Sequence, residues 1–413
     1  MSEQVKQYIY DHWADCIKEN REDKGTLIGL PYPYTVPAVG YFDEMYYWDT
    51  YFTNIGLMLS GRHIQAKHNT DNMLYLVDRY GFMPNGNRTF YLSRSQPPFL
   101  SLMVREVYDY YKDGAWLKGA FAILKKEYRF WMDQRSIPNE LNRYGGSVTE
   151  KDVDALYEDF TRRVSDVPSI KKEEAAKHCI VCCESGWDMN PRWDLEGFRY
   201  APVDLNSLLF QFEENMAYFS QKLGNGEYDK WKERAAARKH LMFQYMEDAE
   251  HLLRDYQFEN GKLSKVFSAA SFFILFAGLG EERHAKALLD NLGRLEAAHG
   301  ITVCEKSSSE TNYQWDYPNG WACLQYIVVK GLAKYGFQDD AERIALKYIS
   351  LVDKIFEETG NIWEKYNVVN GTREVTDEYE MPAMMGWSAG VYLAFSELLE
   401  KFAQGEEKIN EIM

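Results

Sequence analysis

Cysteine is scarce in this chain: six among 413 residues, at Cys16, Cys179, Cys182, Cys183, Cys304 and Cys323. That excludes a disulfide-dense secreted scaffold and fits free thiols in a reducing compartment. His178, Cys179, Cys182 and Cys183 look like half of a metal site. No second Cys-x-x-Cys and no distant His pair completes it, so neither a metal nor an organic cofactor is expected. Basic charge is also short, with 47 Lys and Arg against 63 Asp and Glu and a net charge of −16. Nucleic acid and anionic membranes, which need a basic footprint, are therefore not expected as partners. No run approaches the ~20 apolar residues of a membrane span. The stretch from Met1 to Tyr8 lacks the apolar core of a signal peptide, so a cytoplasmic location is expected. Convincing strands, low-complexity linkers and internal repeats are missing too, which argues against a linear solenoid.

What is abundant is aromatic: 30 Tyr, 22 Phe and 11 Trp make 15% of the chain. Many stand beside acids in polar stretches, where rings suit stacking on the C–H faces of sugars as well as ordinary core packing. The length exceeds the ~250 residues at which single cores usually stop growing, so two domains, a barrel or a helical toroid are the starting alternatives. Helical periodicity decides among them. Val5, Tyr8, Ile9, Trp13, Cys16 and Ile17 recur at three and four. Further helices are predicted near His63 to Tyr80, Leu100 to Tyr111, Trp116 to Met132, Lys151 to Val164, Val203 to Leu223, Glu227 to Asp255, Ala269 to Leu279, Glu282 to Ala298, Trp321 to Tyr335, Asp339 to Glu358 and Trp387 to Phe402. About a dozen helices with alternately short and long loops predict helical hairpins set in a ring.

Four long loops share one character. Around Trp48, Arg94, Asp188 and Trp315, each holds Trp or Tyr beside Asp, Asn, Arg or Gln, as if all met at one end of the ring. The stretch from Cys183 to Trp193, C-E-S-G-W-D-M-N-P-R-W, reads as an irregular loop bracketed by Gly186 and Pro191. Loops that carry large aromatics beside acids are usually binding surfaces on a rigid scaffold.

Six motifs then resemble the trehalases of glycoside hydrolase family 37. They are F-D-E-M-Y-Y-W-D (Phe42 to Asp49), P-N-G-N-R-T-F-Y-L-S-R-S-Q-P-P (Pro84 to Pro98), E-S-G-W-D-M-N-P-R-W (Glu184 to Trp193), P-V-D-L-N-S-L-L (Pro202 to Leu209), Q-W-D-Y-P-N-G-W (Gln314 to Trp321) and E-K-Y-N (Glu364 to Asn367). They follow the family's order from about residue 36 to 391. The resemblance implies an all-α (α/α)6 toroid with long active-site loops at one end, forming one catalytic domain over residues 1–413. It implies inverting hydrolysis of an α-glucosidic bond in a small carbohydrate, with Asp188 as general acid and Glu364 as general base.

Such a reaction needs a protonated carboxyl at the leaving oxygen and an ionised one activating water on the opposite face. Trp187, Trp193 and the neighbouring anion Glu184 are the expected surroundings of Asp188, and Lys365 those of Glu364. The same resemblance implies that Phe42, Tyr46, Trp48 and Asp49 line the glycosyl pocket, that Asn85, Arg94 and Gln96 hydrogen-bond hydroxyls, that Trp315 walls the site and that Glu378 binds sugar. Arg88, Asp204, Asn206 and Asp316 are expected to be structural, since buried polar residues in loops often satisfy backbone groups.

The departures fall in other places. Tyr41 stands where the family carries a substrate-contacting Arg, the segment after Glu150 lacks an obvious second Arg, and the Gly-rich lid is replaced by N-V-V-N-G-T-R-E-V-T-D, where Arg373 is a candidate substitute. These are leaving-group positions. Two glucose molecules from α,α-trehalose are the expected products. A glucosyl- or mannosylglycerate, another α-linked disaccharide, or a non-catalytic sugar-binding role stay open.

Overall fold

The computed structural model describes residues 1–146, 148–164, 169–306, 313–375 and 380–404. Fourteen helices carry the described chain: α1 (Glu3–His12), α2 (Tyr47–Leu59), α3 (His63–Tyr80), α4 (Leu100–Tyr111), α5 (Gly114–Gln134), α6 (Glu150–Arg163), α7 (Lys172–Ser185), α8 (Val203–Leu223), α9 (Tyr228–Met246), α10 (Phe273–Phe276), α11 (Glu282–Asp290), α12 (Ala322–Lys334), α13 (Gln338–Thr359) and α14 (Gly386–Ala403). The strands among the described residues are two or three residues long.

Burial sorts the helices into two layers. In α2 every residue from Tyr47 to Leu57 is buried, and α12 is buried from Ala322 to Val329. Helices buried all round, with only a few polar side chains, belong to the interior of the molecule. By contrast α13 buries Ala341, Ile344, Ala345, Tyr348, Ile349, Val352 and Ile355, a stripe at three- and four-residue spacing, and turns its charges to solvent. The inner helices pack in a cycle: α2 on α4, α4 on α8, α8 on α10, α10 on α12, α12 on α14, and α14 back on α2. Helices α3, α5, α9 and α13 back this cycle from outside, while α1 ties to α14 through Ser2 and Lys6, which reach Tyr392 and Glu400. Six inner helices closing on themselves form the toroid that the helical pattern predicts.

The closing contact is the tightest. A side chain on Gly390 would collide with the Phe52 carbonyl and with Gly56, and one on Gly56 would meet the Gly390 Cα at 2.7 Å. Backbone touches backbone where α14 crosses α2, which only glycine permits. The α6–α7 hairpin stands apart from the cycle and builds a second apolar cluster with Trp131, Phe160, Cys179, Cys182, Trp193, Leu205 and Leu209.

Several boundaries differ from the sequence expectation. Tyr47–Leu59 and Lys172–Ser185 are helices that periodicity does not reveal, because burial along nearly all of the first and from His178 to Ser185 in the second removes the polar face that creates a period. Cys183 to Ser185 therefore end a helix, and the irregular loop starts only at Gly186. The helix predicted to reach Asp255 stops at Met246, and that predicted to reach Ala298 stops at Asp290. In both, short bridges and turns succeed the last helical turn. The stretch from Ala269 to Leu279 is a 3-10 turn followed by the four residues of α10.

Candidate active site

Indoles from five segments pack together at one end of the ring. Trp48, in the first turn of α2, lies 5.5 Å from Trp315, which lies 5.8 Å from Trp187. Trp315 also stacks on Trp321 at 3.8 Å, and Trp387 of α14 stands edge-on to Trp321 at 5.5 Å. Each ring pair adds about 0.5–1.5 kcal/mol beyond its buried area, so the loops that carry them are held as one body. The buried indole N–H groups of Trp187 and Trp321 have no partner among the described residues.

The acidic loop hangs from the C-terminus of α7. Gly186 ends that helix in the left-handed region at φ +74, and a Cβ there would lie 2.7 Å from the Trp48 ring. Both demands require glycine. Asp188 follows, with 30% of its side chain exposed, and accepts a hydrogen bond from Arg163 Nη1 at 2.6 Å. Beneath it Arg192 is fully buried. It pairs with Asp204 and Asp255 at 2.8 Å each and lies under the Trp187 ring at 4.4 Å. Asn190 donates to the Trp187 carbonyl and accepts from Arg192 N–H. Anchored from below, the loop presents Asp188 on its upper side.

Glu364 arrives differently. The short strands Asn319–Trp321 and Lys365–Asn367 pair antiparallel, with Trp321 opposite Lys365. Glu364 directly precedes the second strand and is 2% exposed, and Lys365 Nζ donates to its carboxylate at 2.8 Å. Trp387 Nε1 donates to the Glu364 carbonyl at 3.0 Å, and Lys365 sits over the Trp321 ring at 4.8 Å. Backbone and side chain are thus both fixed by the indole group.

Asp49 joins the two sites. Burial pushes its carboxyl up to about 8, and the charges of Glu364 and Asp188 add to that rise. All three carboxyls therefore act on one region, with Asp49 protonated near neutrality and able to donate. Trp48 N–H donates to Gln96, and Asn85 donates to the carbonyls of Cys183 and Ser95, so these two amides bracket the loops. Tyr46 donates to Glu44, shares a hydrogen bond with Tyr91, and stands edge-on to Phe42 at 5.5 Å. Arg94 lies over Tyr91 with a buried Nε that has no described partner, near Asp188 and Cys183. Glu378 lies outside the described residues.

Arg88 pairs with Glu44, Asp204 with Arg192, and Asn206 with Asn142 and Arg238. Asp316 accepts from Tyr317 N–H, and burial lifts it to about 7. Glu184 does not have the place expected for it. Arg135 grips both its oxygens at 2.8 Å, and Ser95 and Gly145 N–H groups complete the set. Burial raises its pKa, but Arg135 and the Ser95 and Gly145 N–H groups together hold it below the usual range. Trp193 spends its N–H on Asp255. Tyr41 is 49% exposed and packs edge-on to Phe42, while Arg373 lies over Trp363.

Arg163 is the residue that sequence reasoning missed. It ends α6, pairs with Asp159 at 3.1 Å as well as with Asp188, and so supplies an arginine from the segment where none is obvious. The Arg162-Arg163 pair closing a charged helix is the available signal, and its aim at Asp188 is tertiary.

Comparison with known proteins bears on the fold and the family. Neutral trehalase Nth1 from Saccharomyces cerevisiae superposes with a TM-score of 0.76 at 26% identity, over 97% of this chain and 81% of that one. An uncharacterized conserved protein from Thermus thermophilus gives 0.67 at 17% identity, over 95% and 100%. A GH63 mannosylglycerate hydrolase from the same organism, in complex with glucose, gives 0.64 at 17%, over 88% and 95%. The last two share the fold. The Trehalase family matches residues 1–400, and with that match the chain belongs to the trehalase family and is a glycosidase.

Proposed function

We propose that this glycosidase is an inverting α,α-trehalase that releases two glucose molecules, with Asp188 as general acid and Glu364 as general base. The observation that supports it most is the gathering of the motif-bearing loops on one indole group, Trp187 beside Asp188 and Trp321 and Trp387 beside Glu364, from loops 176 residues apart in sequence (364 − 188). Asp49, raised mainly by burial, is raised further by the charges of Glu364 and Asp188. In the reaction, Asp188 gives its proton to the bridging oxygen as the anomeric C–O bond breaks. Glu364 takes a proton from the water whose oxygen bonds to that carbon from the opposite face, so the proton count is restored when the pair exchanges with solvent. Protonated Asp49 and the unspent N–H groups of Arg94, Trp187 and Trp321 suit sugar hydroxyls.

A second reading keeps this glycosyl pocket and changes the leaving group to a glycerate or another sugar. Exposed Tyr41 and the arginine supplied by α6 favour it, because a charged hydrogen bond contributes about 1.5–3 kcal/mol.

Proton NMR on a panel of α-linked disaccharides and glycosyl-glycerates tests both. Release from trehalose with one β- and one α-glucose formed first is the expected result. Turnover of a glycerate with trehalose untouched would transfer the assignment to the second reading, and retention of configuration would overturn the mechanism.

A further inference from the structure

We propose that Asp159, Cys179 and Cys183 form a binding site for a thiophilic divalent cation of the zinc class. Cys179 and Cys183 are four residues apart on α7, so both sulfurs leave the same face of the helix. Both are buried. Facing them is Asp159 of α6, whose Oδ2 lies 3.8 Å from Cys179 Sγ. One ligand atom from each of the three residues lies within 4.8 Å of the other two. In a tetrahedral zinc site, sulfurs at ~2.3 Å and oxygens at ~2.0–2.2 Å from the metal stand roughly 3.5–3.8 Å from each other. The triad thus needs a contraction of about 1 Å or less, within reach of rotamer adjustment in two side chains on one helix.

The donor set is chemically coherent. Two thiols and a carboxylate suit a soft or borderline d10 cation and exclude magnesium or calcium, which take oxygen ligands. On binding, each thiol yields its proton to the buffer and each sulfur forms one bond to the cation, while the carboxylate binds as it is. Asp159 is 26% exposed, which gives the cation a path in and a water the fourth position. The Arg94 and Arg163 guanidiniums lie near Cys183, so the two thiolates are not an uncompensated charge.

Asp159 also divides its oxygens between two tasks. Oδ1 accepts from Arg162 and Arg163, and Oδ2 faces the sulfurs. A cation on Oδ2 leaves the arginine contacts in place and would stand one carboxylate and one guanidinium away from Asp188. Cys182 and His178, the other members of the cluster, are committed to each other at 3.3 Å, and His178 Nδ1 accepts from Gly197 N–H. Sequence alone lacks the completing ligand because it comes from α6.

The test is titration of chelator-treated full-length protein with Co2+, followed by the thiolate-to-cobalt charge-transfer band, then displacement by Zn2+. One equivalent per chain is expected, with the band lost in the Cys179→Ser/Cys183→Ser double variant, weakened about ten-fold in Asp159→Asn, and unchanged in Cys182→Ser. Circular dichroism checks that each variant is folded. Absence of a band in the wild type, or a band that survives the double substitution, overturns the proposal. All of these are read without substrate, so they stand or fall separately from the trehalase reading.

Discussion

Asp188 and Glu364 are mounted in opposite ways. Asp188 sits at the tip of an irregular loop, partly exposed, facing an arginine from a hairpin outside the inner ring. Glu364 is almost fully buried, next to a lysine with no exposed surface, and its backbone is bonded to the innermost helix layer. In the proposed mechanism, the group that trades a proton with the leaving oxygen profits from access to solvent and to a substituent that varies between substrates. One that must hold a single water against a fixed sugar profits from enclosure. The departure from the family pattern in α6 lies on the exposed side, against Asp188, while the replaced lid follows closely after Glu364 and the indole group holds the enclosed side.

Substitution of the carboxyls should break this contrast most sharply. Asp188→Asn and Glu364→Gln are each expected to lower kcat by about 10²–10⁴-fold while the protein stays folded. An activated leaving group, which needs no proton, should restore Asp188→Asn far more than Glu364→Gln. Steady-state kinetics with a glycosyl fluoride decides it, and equal rescue of both would remove the distinction of roles.

Next in size is the effect of the two cationic partners on stability. Lys365→Met removes the cation bonded to a buried carboxylate and should cost about 3–5 kcal/mol. Arg163→Met should cost no more than about 1 kcal/mol, because Asp188 is partly solvated, yet it should change kcat/KM. Urea denaturation of the two variants measures the difference. Equal losses would show that the two mounts are alike.

How much of this is legible in the sequence depends on what each residue touches. The outer-layer helix α3 and helices α4 and α8 have the bounds predicted from their apolar spacing. Helix α2 is invisible for the reason that makes it central: buried on all sides, it has no polar face to set a period. At the site, local motifs nominate Asp188, Glu364, Trp48, Asp49 and Trp315, and the structure gathers these at one end of the ring. Partnerships are not legible. Glu184 is expected beside Asp188 but belongs to Arg135, 49 residues earlier, and the arginine that reaches Asp188 comes from a helix whose sequence departs from the family pattern.

A smaller effect tests the joint between the two regions. Gly186→Ala combines a positive φ with a Cβ driven into the Trp48 ring and should cost about 1–3 kcal/mol. It should also lower kcat more than a neutral surface change, since the acidic loop is displaced from the indoles. Calorimetry and kinetics on one preparation check both.

A pH dependence of stability is expected as well, and its smallest component is the change in slope that one carboxyl makes. Asp49, Glu127 and Glu106 are each raised by burial to about 8, whereas unfolded carboxyls ionise near pH ~4. Between those values the folded state binds more protons than the unfolded one, so stability falls as pH rises from about 4 to 8 and levels beyond. Tm should therefore decline across that window, less steeply in Asp49→Asn. An identical slope in that variant would mean that Asp49 ionises as freely as an unfolded carboxyl.

The glycine crossing of α14 on α2 also sets an order in time. The ring's first inner helix must wait for its last, with more than three hundred residues made in between, and contacts so distant in sequence form slowly. During synthesis α2 leaves the ribosome with residues on every side that the finished fold buries and no α14 to cover them. The nascent chain is thus at its most vulnerable to aggregation until its final helix emerges, and a premature stop before Gly386 would leave an open arc, with α2 bare, in place of a shortened enzyme.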